Sequence, residues 1–275
     1  MYGAAKLICQ RLGIELQEMP GASCTGAGVL QEKNEFLGDT LNARTFAMAE
    51  DLGLQIMTIC STCQGVMSQA NHRMRKDPEY LARVNKELAV EGLEYKGTAN
   101  PKHLLWVMIE DVGLDKLTEL ITRPLSGIRM APFYGCYLVR PTDALDMEEH
   151  PERLTALEQV IETLGATVVD FSGKTRCCGF PILTINETNS VAMVAKHTLD
   201  VKDLGADAMV TPCPLCHLNL DGQQADAARV KKTQIGLPVI HLPQLVGMAL
   251  GLEPKALGLN RHLVSTRRFV AKVPA

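Results

Sequence analysis

Short apolar runs alternate with longer amphipathic stretches along this chain, the pattern expected of an α/β protein. Residues 128–134, 167–171 and 208–210 are nearly continuous in apolar side chains and predict buried strands. Residues 151–164 and 191–204 repeat apolar positions at three- and four-residue steps and predict helices. Pro151 suits a first helical turn, and Gly165 and Gly205 suit helix ends, because glycine adopts the left-handed conformation at little cost.

The same order of landmarks occurs twice. Cys24-Thr25-Gly26 lies 153 residues before Cys177-Cys178-Gly179, and Cys60-x-x-Cys63 lies 153 residues before Cys213-x-x-Cys216. Leu12-Gly13 corresponds to Leu164-Gly165, and Asp51-Leu52-Gly53 to Asp203-Leu204-Gly205. His103-Leu104 and His241-Leu242 each open an apolar helical stretch, followed ten residues later by Gly113 and Gly251. The expectation is two copies of one α/β fold, residues 1–122 and 123–275, each with a small parallel sheet flanked by helices. Each C-x-x-C then follows a strand, where such folds place ligands. Residues 72–100 are polar and helix-like without a counterpart in the second copy, and are expected to form a solvated insertion, with docking of another subunit as the alternative.

Charge and composition narrow the function. Twenty-eight basic against 31 acidic residues give a net charge of −3, which offers no electrostatic footprint for nucleic acid or an anionic membrane. No apolar run approaches the roughly 20 residues of a membrane span, and no signal peptide opens the chain, so a cytoplasmic location is expected. Nine cysteines in a reducing compartment point to metal ligation or thiol chemistry rather than disulfides.

Thiolates are soft ligands for iron–sulfur clusters and zinc. Cys136, Cys177, Cys178, Cys213 and Cys216 number one more than a mononuclear tetrahedral zinc site uses, which favours a multinuclear cluster over zinc with a bystander thiol. The motif C-x40-C-C-G-x34-C-x2-C in residues 136–216 is that of the cysteine-rich CCG domain. With Tyr134-Gly135-Cys136, the run Thr211-Pro212-Cys213-Pro214-Leu215-Cys216-His217-Leu218 and Val239-Ile240-His241, the chain resembles the B subunit of heterodisulfide reductase over nearly its whole length. The resemblance implies two CCG-type halves, a noncubane [4Fe-4S] cluster held by all five cysteines, and disulfide or persulfide chemistry on a disulfide or protein-bound sulfur substrate. It also implies two metal sites facing a shared cavity, and electrons delivered through the C and A subunits of a heterodisulfide-reductase-like complex. CCG domains also occur in electron-transfer subunits linked to lactate, glycolate, glycerol phosphate or succinate oxidation, and a zinc-bound structural scaffold is the third reading.

The first copy departs from the motif. It keeps Cys24, Cys60 and Cys63, but Thr25 stands where the second copy has Cys178, and the counterpart of Cys136 falls before residue 1. A second [4Fe-4S] cluster completed from elsewhere, or zinc, is expected there. This asymmetry is closer to the heterodisulfide-reductase-like assemblies of sulfur oxidisers. It also predicts a sheet lacking its first strand, whose open edge a partner subunit or an upstream segment would cover.

Other candidates carry competing readings. Cys9 aligns with apolar Ile161 and is expected to be a core thiol. His217 either tunes the cluster or is an ordinary polar neighbour of Cys216, and His103 and His241 share a role at a helix start. Lys174 and Arg176 are candidates for stabilising cluster charge, while the twelve methionines are read as packing.

Overall fold

Two parallel sheets carry the fold, and both are built as the repeated landmarks require. The computed structural model describes residues 1–274. Strands β1 (Ile56–Thr58) and β2 (Pro101–His103) form one parallel pair. Strands β3 (Arg129–Pro132), β4 (Thr167–Val168), β5 (Ala208–Thr211) and β6 (Val239–His241) form a parallel sheet in the order β4-β3-β5-β6. All four residues of β5 are buried, as a central strand covered on both faces requires.

The chain divides into two compact units. One comprises Gln17–Leu104 and Tyr137–Pro151 and holds β1 and β2; the other comprises Met1–Leu16, Leu105–Cys136 and Glu152–Ala275 and holds β3 to β6. The repeat in the sequence is expected to divide at 122/123. The compact units are cut differently because the first helix, Tyr2–Leu12, packs with Leu242–Ala249.

The repeat is visible in hydrogen-bond register. Thr58 pairs with His103, and Thr211, its counterpart 153 residues on, pairs with His241. Each histidine ends its strand and adjoins a helix, and the backbone N–H of His241 donates to Gln244 Oε1 in a capping box. The 17-residue helices Glu35–Asp51 and Glu187–Asp203 also correspond. Each begins after an asparagine whose side chain accepts a backbone N–H, Asn34 from Leu37 and Asn186 from Asn189, both at 3.0 Å. Their ends are followed by Gly53 and Gly205, both left-handed.

Residues 72–100 differ from the expected solvated insertion. Val84, Leu88, Tyr95 and Ala99 are buried in one cluster with Phe46, Met67 and Met74. Helix Pro78–Leu88 is polar outward, but its apolar stripe forms part of that core, and each fully buried large side chain there contributes about 1.5–3 kcal/mol. Met67 and Met74 are packing residues, as expected. Among the described residues, no helix is long and apolar enough to cross a membrane.

Candidate metal centre

The five cysteines of the second copy belong to one compact unit and reach one place from three loops that follow strands. Strand β3 runs into Phe133-Tyr134-Gly135-Cys136. The backbone N–H groups of Tyr134 and Gly135 donate to the Lys174 carbonyl at 2.8 and 3.3 Å, which ties this loop to the one carrying the adjacent cysteines. Strand β5 runs through Pro212 to Cys213, the N-cap of helix Pro214–Gly222, with proline at its first position. Cys216 lies one turn inside that helix. Both thiols therefore stand at the N-terminal turn of that helix, where a metal-bound sulfur can meet unpaired N–H groups.

Two glycines keep space around the sulfurs. Gly135 has φ +74°, and a Cβ there would lie 3.0 Å from Cys216 Sγ. Gly179 has φ +92°, and a Cβ there would lie 2.9 Å from Ser190 Oγ and 3.0 Å from the Ser190 backbone. The glycine after the paired cysteines is thus required twice over, by conformation and by closeness to helix Glu187–Asp203.

The thiols form a continuous hydrogen-bonded series and no disulfide. Cys136 and Cys178 donate to Cys177, and Cys216 donates to Cys178 and Cys213. Cys177 is the common acceptor and also lies 3.4 Å from the Gly179 N–H. Donation from Cys136 and Cys178 holds Cys177 down to about 2, with His197 adding to the effect. Its neighbours move the other way: donation to Cys177 pushes Cys136 up, and Cys178 up to about 12, while donation to Cys178 and Cys213 together with burial raises Cys216. The group is rich in soft donors, buried at Cys178, Cys213 and Cys216, and larger in number than a single tetrahedral ion uses. That donor set fits a multinuclear iron–sulfur group.

Two residues that support this loop were not singled out by the sequence. His197 Nε2 lies 3.0 Å from the Cys177 carbonyl, and its ring packs edge-on against Phe133. Asn219 Nδ2 donates to the Cys178 carbonyl at 2.8 Å and to Ser190 Oγ at 3.2 Å. Asn219 sits three residues after Cys216 on the same helix, so helical spacing was the available signal. Lys174, by contrast, is held by Glu158 at 2.8 Å and Asp170 at 2.7 Å, so carboxylates already balance its charge. Arg176 is exposed.

The other unit contains Cys24, Cys60 and Cys63. Cys60 is the N-cap of helix Ser61–Lys76, as Cys213 is of its own helix. Thr25 Oγ1 donates to Cys63 Sγ at 3.5 Å. This contact reproduces, with a hydroxyl, the neighbour relation of Cys178 and Cys216. Tyr137 packs tightly beside this helix, since a Cβ on Gly65 would meet the Tyr137 carbonyl oxygen at 2.5 Å. Cys9 lies in the unit that holds β3 to β6, wholly buried on helix Tyr2–Leu12, and burial pushes its thiol up to about 11. It is a core thiol there.

Comparison with known proteins agrees with this architecture. Residues 3–68 and 130–221 match the cysteine-rich domain family, CCG. The chain is 36% identical over 258 residues to the 8-methylmenaquinol:fumarate reductase membrane anchor subunit of Wolinella succinogenes, covering 94% of this chain and 89% of the relative. It is 33% identical over 273 residues to the B subunit of the ferredoxin/F(420)H(2)-dependent CoB-CoM heterodisulfide reductase of Methanosarcina acetivorans, covering 98% and 90%. It is 34% identical over 274 residues to the B subunit of the ferredoxin:CoB-CoM heterodisulfide reductase of Methanosarcina mazei, again covering 98% and 90%. A crystal structure of a hypothetical protein from Helicobacter pylori shares the fold at a TM-score of 0.77 and 18% identity, over 96% of this chain. The chain spans about half, 48%, of that protein's length. Sequence identity across nearly the whole chain, the two matched CCG segments and the repeated parallel sheets together make this chain a member of the family of cysteine-rich domain proteins that includes the B subunits of heterodisulfide reductases.

Proposed function

We propose that this chain is the iron–sulfur subunit of a heterodisulfide-reductase-like oxidoreductase complex, and that it performs disulfide or persulfide redox chemistry at a noncubane four-iron cluster. The observation that carries this reading is the unbroken series of five thiols, Cys136, Cys177, Cys178, Cys216 and Cys213, within one unit. A cluster bound there would supply iron sites at which a substrate sulfur exchanges electrons. The chain's own part is positional. Gly179 and His197 steady the Cys177 loop, Asn219 holds the Cys178 carbonyl, and burial of Cys213 and Cys216 keeps water from the sulfurs. Reducing one disulfide takes two electrons and two protons and releases two thiols. The electrons are proposed to arrive through partner subunits of the C and A types, in the reducing cytoplasm where free thiols persist.

The Cys24, Cys60 and Cys63 site is proposed to hold a second four-iron cluster or zinc, with Thr25 in place of the second adjacent cysteine. That substitution keeps the likeness to the assemblies of sulfur oxidisers. A second reading, an electron-transfer subunit of a succinate-type complex, is favoured by the 36% identity to a fumarate reductase subunit. A third, a zinc-bound scaffold, predicts a colourless protein.

The decisive experiment is anaerobic purification with iron and acid-labile sulfide analysis, followed by electron paramagnetic resonance during thiol oxidation. A four-iron signal that broadens with a thiol carrying a magnetic sulfur isotope is expected. A normal cluster spectrum indifferent to thiols, in a complex that reduces no disulfide or sulfane sulfur, would favour electron transfer. Absence of iron would leave the scaffold.

A further inference from the structure

Behind the cysteines, on the same helix, two histidines and an aspartate converge in a way that the redox reading does not use. His217 and Asp221 are four residues apart on helix Pro214–Gly222 and so share a face. His262 arrives from the loop after the short helix Leu259–Arg261. One ligand atom from each residue lies within 4.8 Å of the others. His217 Nε2 and His262 Nδ1 are 3.4 Å apart, with ring planes 89° to one another.

That distance is long for a hydrogen bond, but it is the separation two nitrogens take on one tetrahedral ion. Zinc–nitrogen bonds of about 2.0–2.1 Å at a tetrahedral angle place the two nitrogens about 3.4 Å apart. We propose that His217, Asp221 and His262 bind a divalent transition-metal ion of the zinc type, with water completing the coordination.

The surroundings supply what such a site requires beyond three donors. Gln244 lies against the far nitrogen of His262, with Oε1 3.2 Å and Nε2 3.0 Å from His262 Nε2. A proton on that nitrogen, donated to Oε1, would free Nδ1 for an ion, in place of the hydrogen bonds that both histidines make to the Val239 backbone. Such an outer partner is how histidine ligands are oriented in metal sites. Gln244 is itself fixed: its Oε1 accepts from the His241 N–H at 2.9 Å, and its Nε2 donates to the Leu257 carbonyl at 3.0 Å.

Asp221 is 4% exposed, and its two oxygens accept the N–H groups of Leu263 at 2.7 Å and Val264 at 3.2 Å. Among the described residues, no lysine or arginine pairs with it. A buried carboxylate without a cation is a costly arrangement, and a divalent ion relieves it. His262, with Pro254, Asn260 and Leu263, lines a cleft of about 750 Å³. The ion would tie the loop at 262–264 to the helix that carries Cys213 and Cys216.

The test is independent of the cluster. Full-length protein with Cys24, Cys60 and Cys63 changed to serine, so that the three-cysteine site cannot take the metal, is purified anaerobically, loaded with one equivalent of zinc, desalted and analysed for zinc, iron and sulfide. The zinc environment is read by X-ray absorption. The expected result is one tightly held zinc with nitrogen and oxygen neighbours only. Its affinity should fall at least tenfold in both His262→Ala and Asp221→Asn, with iron, sulfide and visible absorption unchanged. Cys178→Ser should do the reverse, losing iron and keeping this zinc. Should His262→Ala unfold, Asp221→Asn alone decides. Zinc that washes out of this three-serine parent protein, zinc with sulfur neighbours in it, or equal retention in its folded His262→Ala and Asp221→Asn variants would overturn the proposal and leave a histidine–histidine hydrogen bond.

Discussion

Gly179→Ala is expected to destabilise the protein well beyond the usual effect of adding a methyl group to a left-handed glycine. Gly13 provides the internal reference, because it also has positive φ, +74° against +92°, yet a Cβ there meets nothing within 4 Å. Both positions carry the conformational penalty of about 1–2 kcal/mol for an L-residue in that region. Only Gly179 adds contacts at 2.9–3.0 Å, and two of its three neighbours are backbone atoms of Ser190, which cannot swing aside. Relief requires moving helix Glu187–Asp203 or the paired cysteines, and forced overpacking of this kind adds about 1–3 kcal/mol. At about 2–4 °C per kcal/mol for a chain of this size, Gly179→Ala should melt about 2–12 °C below Gly13→Ala. The assay is paired thermal melts of both variants under anaerobic conditions, together with iron per chain. Iron should fall in Gly179→Ala alone, since the loop it displaces carries Cys177 and Cys178. Equal melting temperatures with equal iron would refute the account of Gly179 as a close-approach position.

Further outcomes follow from the same geometry. Cys178→Ser should lower iron and sulfide content while Cys9→Ser leaves both unchanged, and equal loss in the two variants would contradict the assignment of Cys9 to the core. In folded, metal-free protein at pH 8, iodoacetamide should modify exposed Cys24 at least tenfold faster than Cys9, whose thiol is buried and raised to about 11; peptide mass spectrometry reads the ratio. Asn219→Ala removes the donor to the Cys178 carbonyl and to Ser190 in a buried setting. It should reduce stability by about 1–3 kcal/mol in denaturant titrations, with Asn219→Asp worse because it introduces a buried charge.

Much of this architecture was legible because the informative residues announce themselves locally. Strand β5, with the C-x-x-C just after it, follows from a short apolar run, and the helix ends at Gly165 and Gly205 follow from glycine's conformational freedom. What escaped the sequence depends on packing between distant segments. Residues 72–100 read as a solvated insertion because their polar residues outnumber the few that point inward, and only the folded chain brings Val84, Leu88 and Tyr95 onto Phe46 and Met67. His197 was invisible for a similar reason. Twenty residues separate it from Cys177, and a lone histidine in a helix carries no spacing signal, yet its ring meets the Cys177 carbonyl. Lys174 shows the opposite failure. Its place beside the cysteines suggested a counter-charge for the cluster, whereas Glu158 and Asp170 already hold it.

The two copies keep their frame while their chemistry diverges, and that separation bears on what the first copy does. Thr58 and Thr211 hold the same register against His103 and His241, and Asn34 and Asn186 cap corresponding helices in the same way. Cys60 and Cys213 occupy the same N-cap. Against this constancy Thr25 stands where the second copy has Cys178, and the contact survives there as a hydroxyl donating to Cys63. Drift in an unused site would be expected to relax the register and caps together with the ligand. On that retention we propose that the first copy still offers Cys60 and Cys63 to a metal group. A Thr25→Cys variant tests that step: if the frame is intact, restoring the thiol should raise the iron bound by the Cys24, Cys60 and Cys63 site on anaerobic reconstitution, measured in a Cys178→Ser background. Unchanged iron would show that the frame no longer positions its cysteines for a cluster.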